Sequence, residues 1–284
     1  MKRKFLIALT AFIGLTVLSA CGPGGKQITA GGSTALQPLV EQASIDYMKA
    51  NPSKIIMVQG GGSGVGLAQV QAGSFQIGNS DIFAEEKNGI DASKLVDNKV
   101  AVIGIAPIVN KNLGVTSIST QQLIDIFTGK IKNWQEVGGP NIAITVVGRT
   151  AGSGTRVNFD KYGLNGATES NGPTQDASGS VVQLVGQTPG AISYVGFSYT
   201  TKPGVKALEL DHVKATYTNV ATNTWKIWAY EHMYLNKSKS NTTEQAFIDF
   251  VKADKAGDLS KLGYLPTSKM KVDRDAKGNV RLVS

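Results

Sequence analysis

Apolar and polar positions alternate along this chain with two different periods, and the period keeps switching. Residues 27–30, 55–58 and 75–78 are short apolar runs bounded by glycine-rich turns, and each reads as a strand. Residues 36–50 repeat at helical spacing, with Leu36, Leu39, Val40, Ala43, Tyr47 and Met48 on one side, until Asn51-Pro52 ends the pattern. Residues 65–72 predict a second, shorter helix. Residues 99–109 are nearly all apolar, the pattern of a central strand and of a crossover between lobes.

The same switching continues downstream. Ser119 predicts a cap for a helix over 120–127, with Leu123, Ile124 and Phe127 inward. Residues 142–147 read as a buried strand, 156–164 as a helix, 178–187 as a helix and 191–195 as a strand. Residues 225–235 mix apolar and aromatic side chains and predict the return crossing. Residues 242–253 form an amphipathic pattern with Phe247, Ile248 and Val251 inward, and 270–284 predict a hairpin turning near Lys277-Gly278-Asn279. Strands alternating with helices imply an α/β protein with mainly parallel sheet. A length of 284 residues suggests about two domains.

The first twenty residues belong to export and not to the fold. Lys2, Arg3 and Lys4 precede an apolar run over 5–18, followed by Leu18-Ser19-Ala20-Cys21. This ending resembles the bacterial lipobox, in which the cysteine receives diacylglycerol and becomes the mature N-terminus. Cys21 is the only cysteine in the chain, so no intramolecular disulfide is possible. Residues 21–26 would be a lipid-anchored tether, on the outer face of the cytoplasmic membrane. Without residues 1–20, the net charge falls from +8 to about +5, with 26 Lys and Arg against 21 Asp and Glu. The lysines are scattered and not interleaved with aromatics, which argues against a nucleic-acid track. The 33 glycines exceed the roughly 7% average and suit tight turns and close backbone approaches.

Candidate chemistry lies in those turns. Gly148-Arg149-Thr150-Ala151-Gly152-Ser153-Gly154-Thr155 joins a strand to a helix start, where unpaired backbone N–H groups and the helix dipole favour an anion. Arg149 adds a planar fork for two oxygens of one tetrahedral ion. Gly32-Ser33-Thr34-Ala35 and Gly62-Ser63-Gly64 repeat the design. Each turn alone reads as a structural cap; the three together predict one anion site beyond the carboxyl ends of the strands. Asp81 closes a strand on the same edge. A carboxylate beside an anion is repulsive unless a proton lies between them, so Asp81 selects hydrogenphosphate over sulfate, or orients Arg149 by an ion pair, or both.

Gly31-Gly32-Ser33-Thr34-Ala35-Leu36-Gln37-Pro38, Gly62-Ser63-Gly64, Ser80-Asp81, Phe127-Thr128-Gly129-Lys130-Ile131-Lys132-Asn133-Trp134 and Arg149 through Thr155 resemble the phosphate-binding lipoproteins of bacterial phosphate ABC transporters. The resemblance covers about 27–268. It implies a two-lobed, periplasmic-binding-protein-like type II fold, with two mixed, mainly parallel sheets and a hinge of two crossings. Residues 27–106 and 228–284 would form lobe 1, and 107–227 lobe 2. It further implies phosphate as ligand, permease subunits as partners, a monomer and no cofactor. The implied phosphate contacts are Ser33, Thr34, Ala35 (through its backbone N–H), Ser63, Asp81, Arg149, Ser153, Gly154 and Thr155. Where some relatives place an acidic partner for the arginine, this chain has Ala151, so Arg149 is expected to be held by Asp81 alone. Ile131 and Trp134 are expected to pack and not to bind.

Three rival functions follow from the same residues. A binder of sulfate or molybdate is disfavoured by Asp81. A serine hydrolase or phosphatase would use Ser63 or Ser153 as nucleophile, but the only histidines, His212 and His232, lie at no recognisable motif and no Gly-x-Ser-x-Gly elbow exists. No cluster of metal-ligand spacing is present. A surface adhesin is compatible with a lipid-anchored binding protein.

Overall fold

A computed structural model describes residues 27–254 and 258–283. The proposed signal peptide, the Cys21 lipidation site and the 21–26 tether lie outside the described residues. The chain opens with β1 (Gln27–Gly32), α1 (Gln37–Ala50), β2 (Ile55–Gln59), α2 (Ser63–Ala72) and β3 (Ile77–Ser80). The long β4 (Leu95–Asn110) follows. Next come β5 (Ser117–Ile118), α3 (Thr120–Phe127), β6 (Thr145–Val146), β7 (Gly148–Arg149), α4 (Gly154–Tyr162), β8 (Thr174–Gln175) and α5 (Ser178–Gln187). Then β9 (Ala191–Gly196), α6 (Phe197–Thr200), β10 (Val205–Ala207), β11 (Glu209–Leu210) and α7 (Tyr217–Ala221) lead to β12 (Trp228–Asn236). The chain finishes with α8 (Thr242–Ala253), α9 (Asp258–Lys261), β13 (Val272–Arg274) and β14 (Val280–Leu282).

The principal sheet has the order β2-β1-β3-β12-β4-β9-β6, with β10 also on β4. It is a mixed sheet. β1 pairs β2 and β3 in parallel, and β6 pairs β9 in parallel. The crossing strands supply the antiparallel pairs: β12 runs against β3 and β4, and β4 runs against β9. Because β4 is long enough to pair β12 along its first part and β9 along its second, the two expected sheets share one strand. A register shift lies where Glu231 faces Ala101 and His232 faces Lys99, so Val100 is the extra residue of a bulge.

Two large cores flank these crossing strands. The first gathers Ile28, Leu36, Val40, Ile77, Met233, Phe247, Ile248 and Tyr264. The second gathers Ile105, Leu123, Phe127, Trp134, Phe159, Tyr194, Trp225 and Trp228. Burying an aromatic or branched side chain of this kind contributes about 1.5–3 kcal/mol. Phe159 stacks on Tyr194 with centroids 3.9 Å apart. Trp134 is fully buried and donates from Nε1 to the Gly190 carbonyl at 2.8 Å, a packing role as expected for that stretch.

Capping chemistry explains several boundaries. Ser119 accepts from the Gln122 backbone N–H while the Gln122 side chain returns the bond to Ser119 N. Asn241 and Glu244 repeat that reciprocal pattern at α8. Helix α2 begins at Ser63, two residues before the expected start, because the Gly62 carbonyl already accepts from the Gly66 N–H and closes the first turn. Two expectations need correction. The buried strand over 142–147 is confined to Thr145–Val146, because the segment changes partners: residues 142–144 bond the backbone of 132–134 through an isolated bridge, residues 145–146 pair β9, and from Gly148 the chain pairs β8. The return strand begins at Trp228; Trp225 precedes it and donates to the Ile105 and Ile227 carbonyls.

The tail forms the expected hairpin, with Val272 opposite Leu282. Met270 and Val272 enter the second core. Arg274 lies 3.8 Å from the ring centre of Tyr162 and 3.9 Å from that of Trp228, and donates to the Trp228 and Lys226 carbonyls. The apolar face of the hairpin matches Trp228 and Tyr230, which lie where the crossing strands meet.

Candidate functional site

The three glycine turns converge where the strands β1 and β3 and the β7 turn end. Gly62 N donates to the Gly32 carbonyl at 2.8 Å, and Gly64 N donates to the Gly152 carbonyl at 3.0 Å. The loop before α4 therefore touches the loop before α2 directly. Glycine is needed for that contact at Gly154: a Cβ there would sit 2.3 Å from Ser63 Oγ and 3.1 Å from the Asp81 Cβ. Gly62, at φ +86°, would meet the Gly152 carbonyl oxygen at 2.8 Å.

Arg149 is 1% exposed, and its guanidinium is held at four points. Nε donates to the Gln175 carbonyl at 3.1 Å, and Nη2 to the Asp176 carbonyl at 2.9 Å. Nη2 also reaches Thr34 Oγ1 at 3.2 Å, and Nη1 reaches Ser178 Oγ at 3.4 Å. This corrects the expectation that Asp81 alone holds it: no ion pair joins Arg149 to Asp81 among the described residues, and two backbone carbonyls orient the fork. β7 pairs β8, and that pairing brings the chain beyond Gln175 under the arginine. Burial pulls the Arg149 guanidinium below its ordinary range, partly offset by Tyr194 and then Asp81. Its partners are neutral groups, so its charge is left without a counter-ion in contact.

Asp81 is 2% exposed at the end of β3. Its backbone N–H donates to Ser63 Oγ at 2.9 Å, and its carbonyl accepts from Asn158 Nδ2 at 2.8 Å. Thr155 Oγ1 donates to Oδ2 at 2.7 Å, while Oδ1 is buried with no hydrogen-bond donor. An acceptor thus stands beside the arginine fork without being spent on it.

The other expected residues divide into two groups. Thr34 Oγ1 accepts from Arg149 and from the Ser178 backbone N–H at 3.2 Å, so it lies in the centre of the site. Ser63, Gly154 and Thr155 lie there too, at the starts of α2 and α4. Ser33 and Ser153 are buried, and their oxygens accept backbone N–H groups just downstream: Ser33 Oγ from Ala35 N and Leu36 N in the turn before α1, and Ser153 Oγ from Arg156 N as the cap of α4. The Ala35 N–H is thereby engaged locally, and its carbonyl accepts from Tyr264.

Sequence reasoning missed Ser178, Gln175, Asp176 and Glu231. Ser178 starts a ten-residue helix of its own, a fourth helix N-terminus at the site. The short run Ala177-Ser178-Gly179-Ser180 before an apolar pattern carried that signal. The carbonyls of Gln175 and Asp176 carry none, because any residue supplies a carbonyl. Glu231 is fully buried on β12.

Neither histidine is a hydrogen-bond partner of Ser63 or Ser153 among the described residues. His232 is buried, pairs with Asp97 at 2.7 Å and stacks on Tyr234, whereas His212 is exposed on a loop. Among the described residues, no group of three or more His, Cys, Asp or Glu side chains is placed to hold a metal, and no helix is long and apolar enough to cross a membrane.

A family model for the PBP superfamily domain matches residues 19–255. The phosphate-binding protein PstS of Bacillus subtilis is 45% identical over 296 aligned residues, covering 98% of this chain and 98% of its own length. The PstS of Borreliella burgdorferi is 26% identical, over 90% of this chain and 96% of its own. Among solved structures, a phosphate ABC transporter substrate-binding protein from Clostridium perfringens, with phosphate bound, superimposes with a TM-score of 0.78. It shares 30% identity over 85% of this chain and 99% of its own.

Proposed function

This chain belongs to the PBP superfamily and, within it, to the phosphate-binding PstS proteins, and from that membership we propose how its cleft captures inorganic phosphate for an ABC transporter. The observation that carries the proposal is the buried Arg149 fork, held by carbonyls, ringed by the starts of α2, α4 and α5 and faced by the single acceptor Asp81. Ser33, Thr34, Ala35, Ser63, Asp81, Arg149, Ser153, Gly154 and Thr155 form the proposed contact set, with Ser178 added. Arg149 binds two phosphate oxygens. Thr34 and Ser178, which bond each other and the arginine, turn their hydroxyls to the ion when it enters. The N–H groups at the starts of α2 and α4 and the Thr155 hydroxyl complete the shell. Asp81 accepts the proton that hydrogenphosphate carries and fully ionised sulfate lacks. Charge-assisted bonds in such a dry site contribute about 1.5–3 kcal/mol each, so a handful accounts for micromolar affinity, about −8 kcal/mol.

The two lobes are residues 27–106 with 228–284, and residues 107–227. β4 and β12 are the two hinge crossings, and the tail hairpin clasps both lobes through Lys99 and Tyr230 on one side and Tyr162 and Lys226 on the other. The chain works as a binding protein and not an enzyme, exported and anchored by lipid at Cys21. As a monomer it delivers phosphate to the permease subunits.

Titration calorimetry on the phosphate-stripped chain tests this, first with phosphate and then with sulfate, while tryptophan fluorescence follows Trp225 and Trp228. Micromolar phosphate binding with sulfate rejected is the expected result. Equal binding of both ions removes the role of Asp81, and binding of neither removes the proposed function.

A further inference from the structure

The mechanism above leaves one buried acid unused. Glu231 is fully buried at the middle of the return strand β12, with neither carboxyl oxygen hydrogen-bonded to a donor. The antiparallel register ends with His232 opposite Ser80, and one step further along the same line Glu231 meets Asp81, the residue just past β3, whose charge acts on it. Directly opposed residues hold their Cβ atoms about 4.5–5.5 Å apart, close enough for the two carboxyls to meet. On Asp81, the oxygen not taken by Thr155 is likewise buried and without a donor. No ion pair reaches either carboxyl among the described residues. Two opposed carboxylates with three unpaired oxygens cannot both be ionised cheaply in a dry site.

We propose that Glu231 is a positioning residue for phosphate capture: as a neutral carboxylic acid it keeps its proton and donates a hydrogen bond to the Asp81 carboxylate, fixing that carboxylate as the acceptor for the phosphate hydroxyl. This rests on the phosphate function given above. The pair then carries one proton and one negative charge, and Asp81 is held from behind by Glu231 and from the side by Thr155.

The surroundings agree. Burial first, then the neighbouring Asp81 charge, hold the Glu231 carboxyl well above the usual range. The other titratable groups facing it are Tyr264, Tyr217 from α7 and Tyr199 from α6, all neutral phenols. Arg149 faces Asp81 from the far side. His232, the next residue on β12, pairs with Asp97 instead. The bulge at Val100 of β4 lies opposite Glu231 and His232, so the ladder is interrupted beside the buried acid. Rising pH removes the Glu231 proton, leaves two negative charges beneath the ion, and expels phosphate.

The experiment compares wild type, Glu231→Gln and Glu231→Leu. Infrared difference spectroscopy at neutral pH reads the protonated carboxyl, and calorimetry reads phosphate and sulfate affinity from neutral to alkaline pH. A protonated-carboxyl band is expected in the wild-type minus Glu231→Gln difference, where the Glu169 carboxyl, common to both proteins, cancels. Glu231→Leu, which leaves Asp81 Oδ1 unpaired, should weaken phosphate binding by about tenfold or more and narrow the preference over sulfate. Glu231→Gln keeps a donor and should rescue most of that loss, without the alkaline fall of wild type. Absence of the band, or parallel pH profiles for wild type and Glu231→Gln, overturns the proposal. If Glu231→Leu does not fold, the band and the Glu231→Gln profile decide. If wild type binds no phosphate, the functional proposal falls, and the band alone decides whether the proton is shared.

Discussion

Replacing Asp81 with Asn isolates the one proton on which anion selection depends. The change is nearly isosteric at a residue only 2% exposed, and the amide oxygen can still accept from Thr155, now 2.7 Å away. Two effects follow. Removing a buried negative charge relieves repulsion of any dianion, but that relief is common to hydrogenphosphate and sulfate and cancels in their ratio. What survives is the bond from the phosphate hydroxyl to a charged acceptor, about 1.5–3 kcal/mol. Competing phosphate and sulfate titrations at mildly alkaline pH should therefore show the preference collapsing by roughly 10- to 150-fold. Sulfate affinity should rise in absolute terms. A ratio within about twofold of wild type would refute the reasoning, since a charged acceptor cannot be removed from a dry site at so small a cost.

The remaining expectations concern closure, stability and pH. Gly154→Ala inserts a Cβ 2.3 Å from Ser63 Oγ, so phosphate affinity should drop by about a hundredfold, in line with overpacking costs of about 1–3 kcal/mol; far-ultraviolet circular dichroism should stay unchanged. Arg274→Ala removes a guanidinium sandwiched by Tyr162 and Trp228 and bonded to two carbonyls; denaturant melts should show a loss of about 2–4 kcal/mol. Glu169 is buried near Arg156 and Asp160, and burial pushes its carboxyl up to about 7. Its folded value lies above its unfolded one, so its contribution is complete below the unfolded value and is lost as pH rises through about 7. Glu169→Gln should therefore gain about 1–3 kcal/mol over wild type on going from about pH 5 to about pH 8, measured by urea melts across that range.

Local chemistry was legible wherever its cause is local. The capping serine of α3, the span of α8, the turn of the tail hairpin and the packing of Trp134 all follow from neighbours a few residues away. That the glycine turns, Arg149, Asp81 and Thr155 meet in one buried place follows from the same local cues: a strand end, a glycine and a hydroxyl before a helix. Three things came only from the tertiary structure. The arginine is held by the Gln175 and Asp176 carbonyls and not by Asp81, because the β7–β8 pairing brings those carbonyls beneath it. Ser33 and Ser153 accept backbone N–H groups just downstream, which orients each hydroxyl and leaves its O–H as the donor, a detail the convergence of turns alone does not reveal. Strand β12 is set against β3, with His232 opposite Ser80 and the buried Glu231 brought next to Asp81, because two antiparallel strands fix a register that no spacing in the sequence records. The sequence determined which donors and acceptors each turn carries; the fold decided which of them remain unpaired at the same point, because that depends on contacts between segments far apart in the chain.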